Sequence, residues 1–161
     1  MAVEVRTTGA PRAIFNSATG ATALQWGVTG TALPYEMTIA VQPVDIDRQN
    51  HVNNTVYVRW IQEVATAHWN ATAPVPARDE IGWVVLRHEI DYKSPLCLGD
   101  QIVLRTWVGK ATRVTFERFV EILRQTDRKL MASARTLWVP INPETAKPIR
   151  VPPEVRERFS T

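Results

Sequence analysis

Residues 44–63, VDIDRQNHVNNTVYVRWIQE, decide how this chain is read. The first half is a polar loop carrying Asp45, Asp47 and His51, and the second half opens an amphipathic helix. Tyr57, Trp60, Ile61, Val64 and His68 recur on one helical face, while Arg59, Gln62, Glu63 and Thr66 take the other, which predicts a helix over 54–70. Asn53 or Asn54 suits the N-cap, because its side-chain oxygen can accept from the unpaired amides of the first turn. Pro74 and Pro76 end the helix and open a loop.

Working outward, 37–44 alternates Met37, Ile39 and Val41 with Thr38, Ala40 and Gln42, the pattern of a strand. Downstream, 83–93 sets Val84, Leu86, His88, Ile90 and Tyr92 on one strand face. Ser94 and Pro95 close that strand, and Gly99-Asp100 turns the chain into a strand over 101–108. Strands over 114–123 and 130–139 are joined as a hairpin by the polar 125–129 stretch, and Pro152-Pro153 starts a short helix over 154–159. One strand, one long helix and four strands in meander-like succession predict an α+β fold, an antiparallel sheet with one central helix.

The composition bounds the function. With 161 residues, 45% of them hydrophobic and 22% charged, the chain has room for one ordinary folded domain. Cys97 is the single cysteine, so neither an internal disulfide nor a cysteine-rich metal site is available. No apolar run approaches the roughly 18 residues of a spanning helix, and the +3 charge is scattered, so neither membrane nor nucleic acid is an expected partner. Residues 1–35 read as an extension: eighteen are Ala, Thr, Gly or Ser, and no acid lies between Glu4 and Glu36. A short strand around 24–28 is one reading of that stretch, and its Arg6 and Arg12 in acid-poor surroundings faintly resemble an organellar transit peptide. The expected location is the cytoplasm, with organellar import as the alternative, and the expected domain spans 36–161.

Asp47 and His51 lie four residues apart in a loop that enters a helix N-terminus. Such a terminus presents unpaired N–H groups and partial positive charge, which polarise an acyl carbonyl as its oxygen becomes an oxyanion. A carboxylate just upstream can reach the same carbon, as nucleophile or through a water. A thioester suits so small an apparatus, because its thiol, with a pKa of about 8.5, leaves with little help from a general acid.

The pattern D-x-D-x-x-x-H-V-N-N at 45–54, then Tyr57 on a helix, then H-x-I-x-Y-x-x-P-L-x-x-G-D at 88–100, resembles the hotdog-fold acyl thioesterases. The likeness runs over 36–139 and is nearest to the 4-hydroxybenzoyl-CoA thioesterase branch; plant acyl-ACP thioesterases carry a similar HVNN loop. The resemblance implies a sheet wrapped around one long helix, hydrolysis of an acyl-CoA, no cofactor and no metal, and a homodimer or homotetramer with its site between protomers. By the same likeness Asp47 matches the catalytic aspartate, as nucleophile or general base, Asn54 supplies the backbone N–H facing the carbonyl, and His51 matches the histidine of the HVNN loop. Gln49 stands where plant enzymes tend to have Asn, so Arg48, Gln49 and Asn50 receive no role.

Simpler readings stand beside these. Asp47 is also a natural turn former, His51 a loop side chain, and Asn53 and Asn54 caps whatever the function. Glu63 is the rival carboxylate, since another thioesterase branch uses an acid on the central helix; that branch's small-residue motif is absent, and Glu63 lies four residues after Arg59, the spacing of an ion pair. Tyr57, Trp83 and His88 are candidate pocket walls, and Cys97 reads as a small buried hydrophobe. The three histidines show no metal-ligand spacing with the acids. Arg87, Lys93, Lys110 and Arg113 are candidates for coenzyme phosphates because they are basic and near strand ends. Acyl-ACP hydrolysis, a non-catalytic acyl-binding protein and a hotdog enoyl hydratase are the alternative functions, although the hydratases' Asn-Pro element is missing.

Overall fold

A computed structural model describes residues 33–112 and 114–159. Strand β1 (Tyr35–Ala40) is followed by a 3-10 turn (Pro43–Asp45), helix α1 (Asn54–Thr72), a short helix α2 (Val75–Glu80), strands β2 (Gly82–Tyr92), β3 (Gln101–Ala111), β4 (Phe116–Arg124) and β5 (Leu130–Ile141), and helix α3 (Pro153–Phe159). The strands form one sheet in the order β1-β3-β4-β5-β2, every pair antiparallel. The expected hairpin of β4 and β5 is present, but the meander is not. Strand β2 lies beyond β5 at the far edge, and residues 93–100 carry the chain back to β3, which pairs with β1.

The apolar stripe of α1 is buried against this sheet, giving the expected hotdog arrangement. Trp60, Ile61 and Val64 are almost wholly buried among Leu104, Val120 and Ile122. A second apolar cluster surrounds the C-terminal half of α1, where Ala65 meets Val108, Phe116, Trp138, Val155 and Phe159. Helix α3 covers that end, its Phe159 ring stacked 5.3 Å from Trp69. The Pro74–Pro76 stretch does stop α1, yet it nucleates α2 rather than a loop. A proline in a first turn gives up only an amide that has no helical partner anyway.

Strand β2 departs from simple alternation. Trp83 and Val85 pair with Pro140 and Trp138 and pack on the second cluster. A bulge between Val85 and Arg87 then shifts the register, so that His88, Ile90 and Tyr92 lie opposite Thr136, Ala134 and Ala132. The helix-side face is therefore odd-numbered before the bulge and even-numbered after it, and Val84 and Leu86 do not join it. Leu86 is 59% exposed, on a strand whose other edge has no neighbour among the described residues.

A guanidinium sits inside the sheet-and-helix core. Arg118 is 8% exposed and donates from Nη1 to Thr106 Oγ1 (3.1 Å) and to His68 Nδ1 (3.0 Å). Burial, with the Arg118 charge added, pulls the His68 pKa down to about 3, so the ring is neutral and its Nδ1 accepts. Among the described residues no helix is long and apolar enough to cross a membrane.

Candidate active site

The loop between β1 and α1 is shaped by its two aspartates in different ways. Asp45 is buried, accepts the Gln42 amide at 2.9 Å, and takes the Arg59 guanidinium at 2.5 Å. Its backbone carbonyl also accepts the Asn53 amide at 2.9 Å, which ties the loop's start to the helix N-cap. Asp45 is thus a structural carboxylate.

Asp47 is half-buried and faces outward. Its Oδ1 accepts the Gln49 amide at 2.8 Å, an Asx turn, while Oδ2 has no partner among the described residues. The Asn50 amide returns to the Asp47 carbonyl at 3.1 Å, and the Asp47 amide donates to the His51 carbonyl at 2.8 Å. Asn50 closes this turn at φ 60°, a conformation that asparagine tolerates better than most residues. Asp47 opens onto a shallow recess that Arg48, Gln49 and Asn53 also line.

Helix α1 begins at that recess. Asn53 is the N-cap: its side-chain oxygen accepts the Thr55 amide at 2.9 Å, and its carbonyl accepts the Val56 amide at 3.0 Å. The Asn54 amide has no acceptor among the described residues, so one N–H at the positive end of the helix is free for a ligand oxygen. Tyr92 donates its hydroxyl to the Asn54 carbonyl at 3.3 Å, and its ring meets Tyr57 edge-on at 5.1 Å. Burial raises the Tyr57 phenol above its ordinary pKa, so it remains protonated.

The second motif holds this end in place. Val52 donates to the Leu96 carbonyl at 2.8 Å, and Leu96 is fully buried in the core. Asp100 Oδ2 accepts the Cys97 amide at 2.9 Å, and the Asp100 carbonyl accepts the Val41 amide at 2.9 Å. Gly99 makes the turn at φ 93°, where a side chain would be strained. Leu96 rather than Cys97 is the residue that plugs the core; the Cys97 thiol is free and exposed.

The remaining candidates separate. The His51 imidazole is exposed and only its backbone bonds to Asp47. Tyr57, on the first turn of α1, is buried in the first cluster, whereas Trp83 packs on the second, edge-on to Trp69 (5.4 Å) and Phe116 (5.1 Å). His88, expected as a core or pocket wall, is exposed on β2 between them. Glu63 makes the expected ion pair with Arg59 at 3.4 Å and is 46% exposed. Arg87 and Lys93 pair with Glu89 (3.4 Å) and Asp91 (3.2 Å), Lys110 is exposed, and Arg113 and the 24–28 stretch lie outside the described residues. Among the described residues no three acids, histidines or cysteines gather to hold a metal.

Comparisons with known proteins place the fold and the family. Solved structures share the fold. YbaW, a probable thioesterase from Escherichia coli, matches with TM-score 0.66 and 22% identity over 76% of this chain and 94% of its own. A 1,4-dihydroxy-2-naphthoyl-CoA thioesterase from Synechocystis matches with TM-score 0.62 and 19% identity, over 74% and 89%. The 12:0-ACP thioesterase from Umbellularia californica matches with TM-score 0.67 and 16% identity, over 78% of this chain and 49% of its own. Comparison with curated proteins returns no match. The family model described as the thioesterase-like superfamily matches residues 41–159, from the end of β1 through α3, and so includes the whole Asp47 loop. The chain belongs to the thioesterase-like superfamily and is a thioester hydrolase.

Proposed function

We propose that this protein hydrolyses an acyl-CoA, with Asp47 as the reacting carboxylate and the Asn54 amide polarising the thioester carbonyl. One observation carries the reading: the recess at the start of α1 is lined by Asp47, whose Oδ2 is free, and by Asn53, which caps the helix whose Asn54 amide is unpaired. A carbonyl oxygen on that amide receives a hydrogen bond and the helix dipole as negative charge grows on it. Asp47 either attacks the carbonyl carbon and is later released by water, or takes a proton from the attacking water. In both cases water and thioester give carboxylic acid and free thiol.

The working form is a homodimer or homotetramer. Strand β2 is a sheet edge carrying exposed Val84, Leu86 and Tyr92, and antiparallel pairing of two such edges removes both. Incubation with acyl-CoAs of varied chain length, and with acyl-ACPs, in the presence of a thiol reagent tests the function. Thiol release that is faster from CoA than from ACP supports it. Tight binding without release supports an acyl-binding protein, and water addition across an enoyl double bond supports a hydratase.

A further inference from the structure

Away from the Asp47 recess, a cavity of about 270 Å³ lies between the C-terminal half of α1, helix α3 and the sheet. Its nearest residue on α1 is Gln62, eight positions beyond Asn54 and so about 12 Å along the helix axis. No residue lines both spaces. Trp69, Trp83, Phe116, Trp138 and Phe159 give it aromatic walls, Gln62, Thr66 and Arg78 add polar side chains, and the space exceeds the roughly 150 Å³ that accommodates benzene in an apolar protein cavity.

The polar groups in this cavity are unbalanced in one direction. Arg118 lines it, more than nine-tenths buried, and among the described residues no carboxylate contacts its guanidinium. Its hydrogen bonds go to a neutral imidazole and a hydroxyl, so its charge is uncompensated. Burial without a counter-ion lowers the Arg118 pKa to about 10, which still leaves it charged at neutral pH. Two further donors that line the cavity, Trp83 Nε1 and Arg156 Nε, are buried without any acceptor. Glu117 lines the space as well, but its carboxylate is held by Arg135. A buried cation and two orphaned N–H groups are costly beside aromatic walls and favour a ligand that accepts hydrogen bonds. An aromatic body fills such walls, and a carboxylate is the planar anion that a guanidinium grips with two parallel hydrogen bonds.

We infer that this cavity is a binding site for a small aromatic carboxylate, with Arg118 taking the carboxylate and the tryptophan and phenylalanine walls taking the ring. The site is independent of the Asp47 chemistry, so either can fail alone.

The test uses 3-phenylpropionate and its uncharged amide, titrated into the full chain by calorimetry and by tryptophan fluorescence. The acid binds at least about tenfold more tightly than the amide, the scale of one charge-assisted bond. Arg118→Gln brings the acid to the level of the amide, whereas Asp47→Asn leaves binding of both unchanged. Because Arg118 also holds His68 and Thr106, Trp83→Phe serves as a second variant. It keeps a ring, removes the Nε1 donor, and weakens the acid several-fold more than the amide. Equal binding of acid and amide, no binding of either at millimolar concentration, acid binding that survives Arg118→Gln, or an equal loss with Asp47→Asn overturns the proposal.

Discussion

Arg59, in the second turn of α1, reaches back to the buried carboxylate of Asp45 at 2.5 Å and pairs with Glu63 at 3.4 Å on its own helix. One guanidinium thus fastens the loop that carries Asp47 to the helix and also pairs with Glu63. The two sides of this pair are unequal, because Asp45 is buried and Arg59 is half in solvent. Removing the cation leaves an unpaired buried carboxylate. Arg59→Met therefore costs about 2–4 kcal/mol, whereas Asp45→Asn, which keeps an acceptor for the Gln42 amide, costs less. Urea unfolding of both variants and of the double variant checks this; the double variant recovers part of the Arg59→Met loss.

Gly99→Ala strains the turn that seats Leu96 and Asp100. Its φ of 93° lies outside the range comfortable for a side chain, although nothing within 4 Å obstructs a Cβ. The cost is therefore conformational, about 1–2 kcal/mol, and appears as a lower Tm.

His68 makes stability depend on pH. Its folded pKa of about 3 lies below the ordinary value of 6.5, so between these limits the unfolded chain binds a proton that the folded chain refuses. Stability is then full above about 6.5 and falls as the pH drops, by up to about 1.4 kcal/mol per unit. Urea titrations from pH 7 to 4 show a slope that is smaller by this amount in His68→Gln than in the wild type.

The long helix, the strand sequence and the loop of the candidate site were legible because their signals are local: a helical apolar stripe, alternation, and a motif next to a cap. What was not legible depends on contacts distant in sequence. Asp45 and Asp47 look alike in the chain, and only the reach of Arg59 across fourteen residues makes one structural. The bulge in β2 comes from its pairing with β5, so alternation alone put Val84 and Leu86 on the wrong face. Leu96 is inward, and its neighbour Cys97 outward, because the Leu96 carbonyl receives Val52 from the opposite loop. The Arg118–His68 contact joins β4 to α1 across fifty residues, with no local pattern to announce it.

Leu86→Arg tests the proposed pairing of β2 edges. Leu86 is 59% exposed at the bulge, and a charge there opposes apolar contact between two copies. Sedimentation gives a dimer or tetramer for the wild type and a larger monomer fraction for the variant, while a wild type that is monomeric at all concentrations removes this interface.

If the Asp47 carboxylate does the chemistry, kcat/KM for acyl-CoA hydrolysis depends on its charge, and Asp47→Asn measures that dependence. The amide keeps the Asx turn to Gln49 and removes the negative charge, so the fold survives while kcat/KM falls at least about 10²-fold, with substrate binding little changed. Glu63→Gln, which loses one exposed ion pair, costs less than about tenfold. Wild-type turnover by Asp47→Asn together with an inactive Glu63→Gln contradicts the account and assigns the reaction to the helix acid.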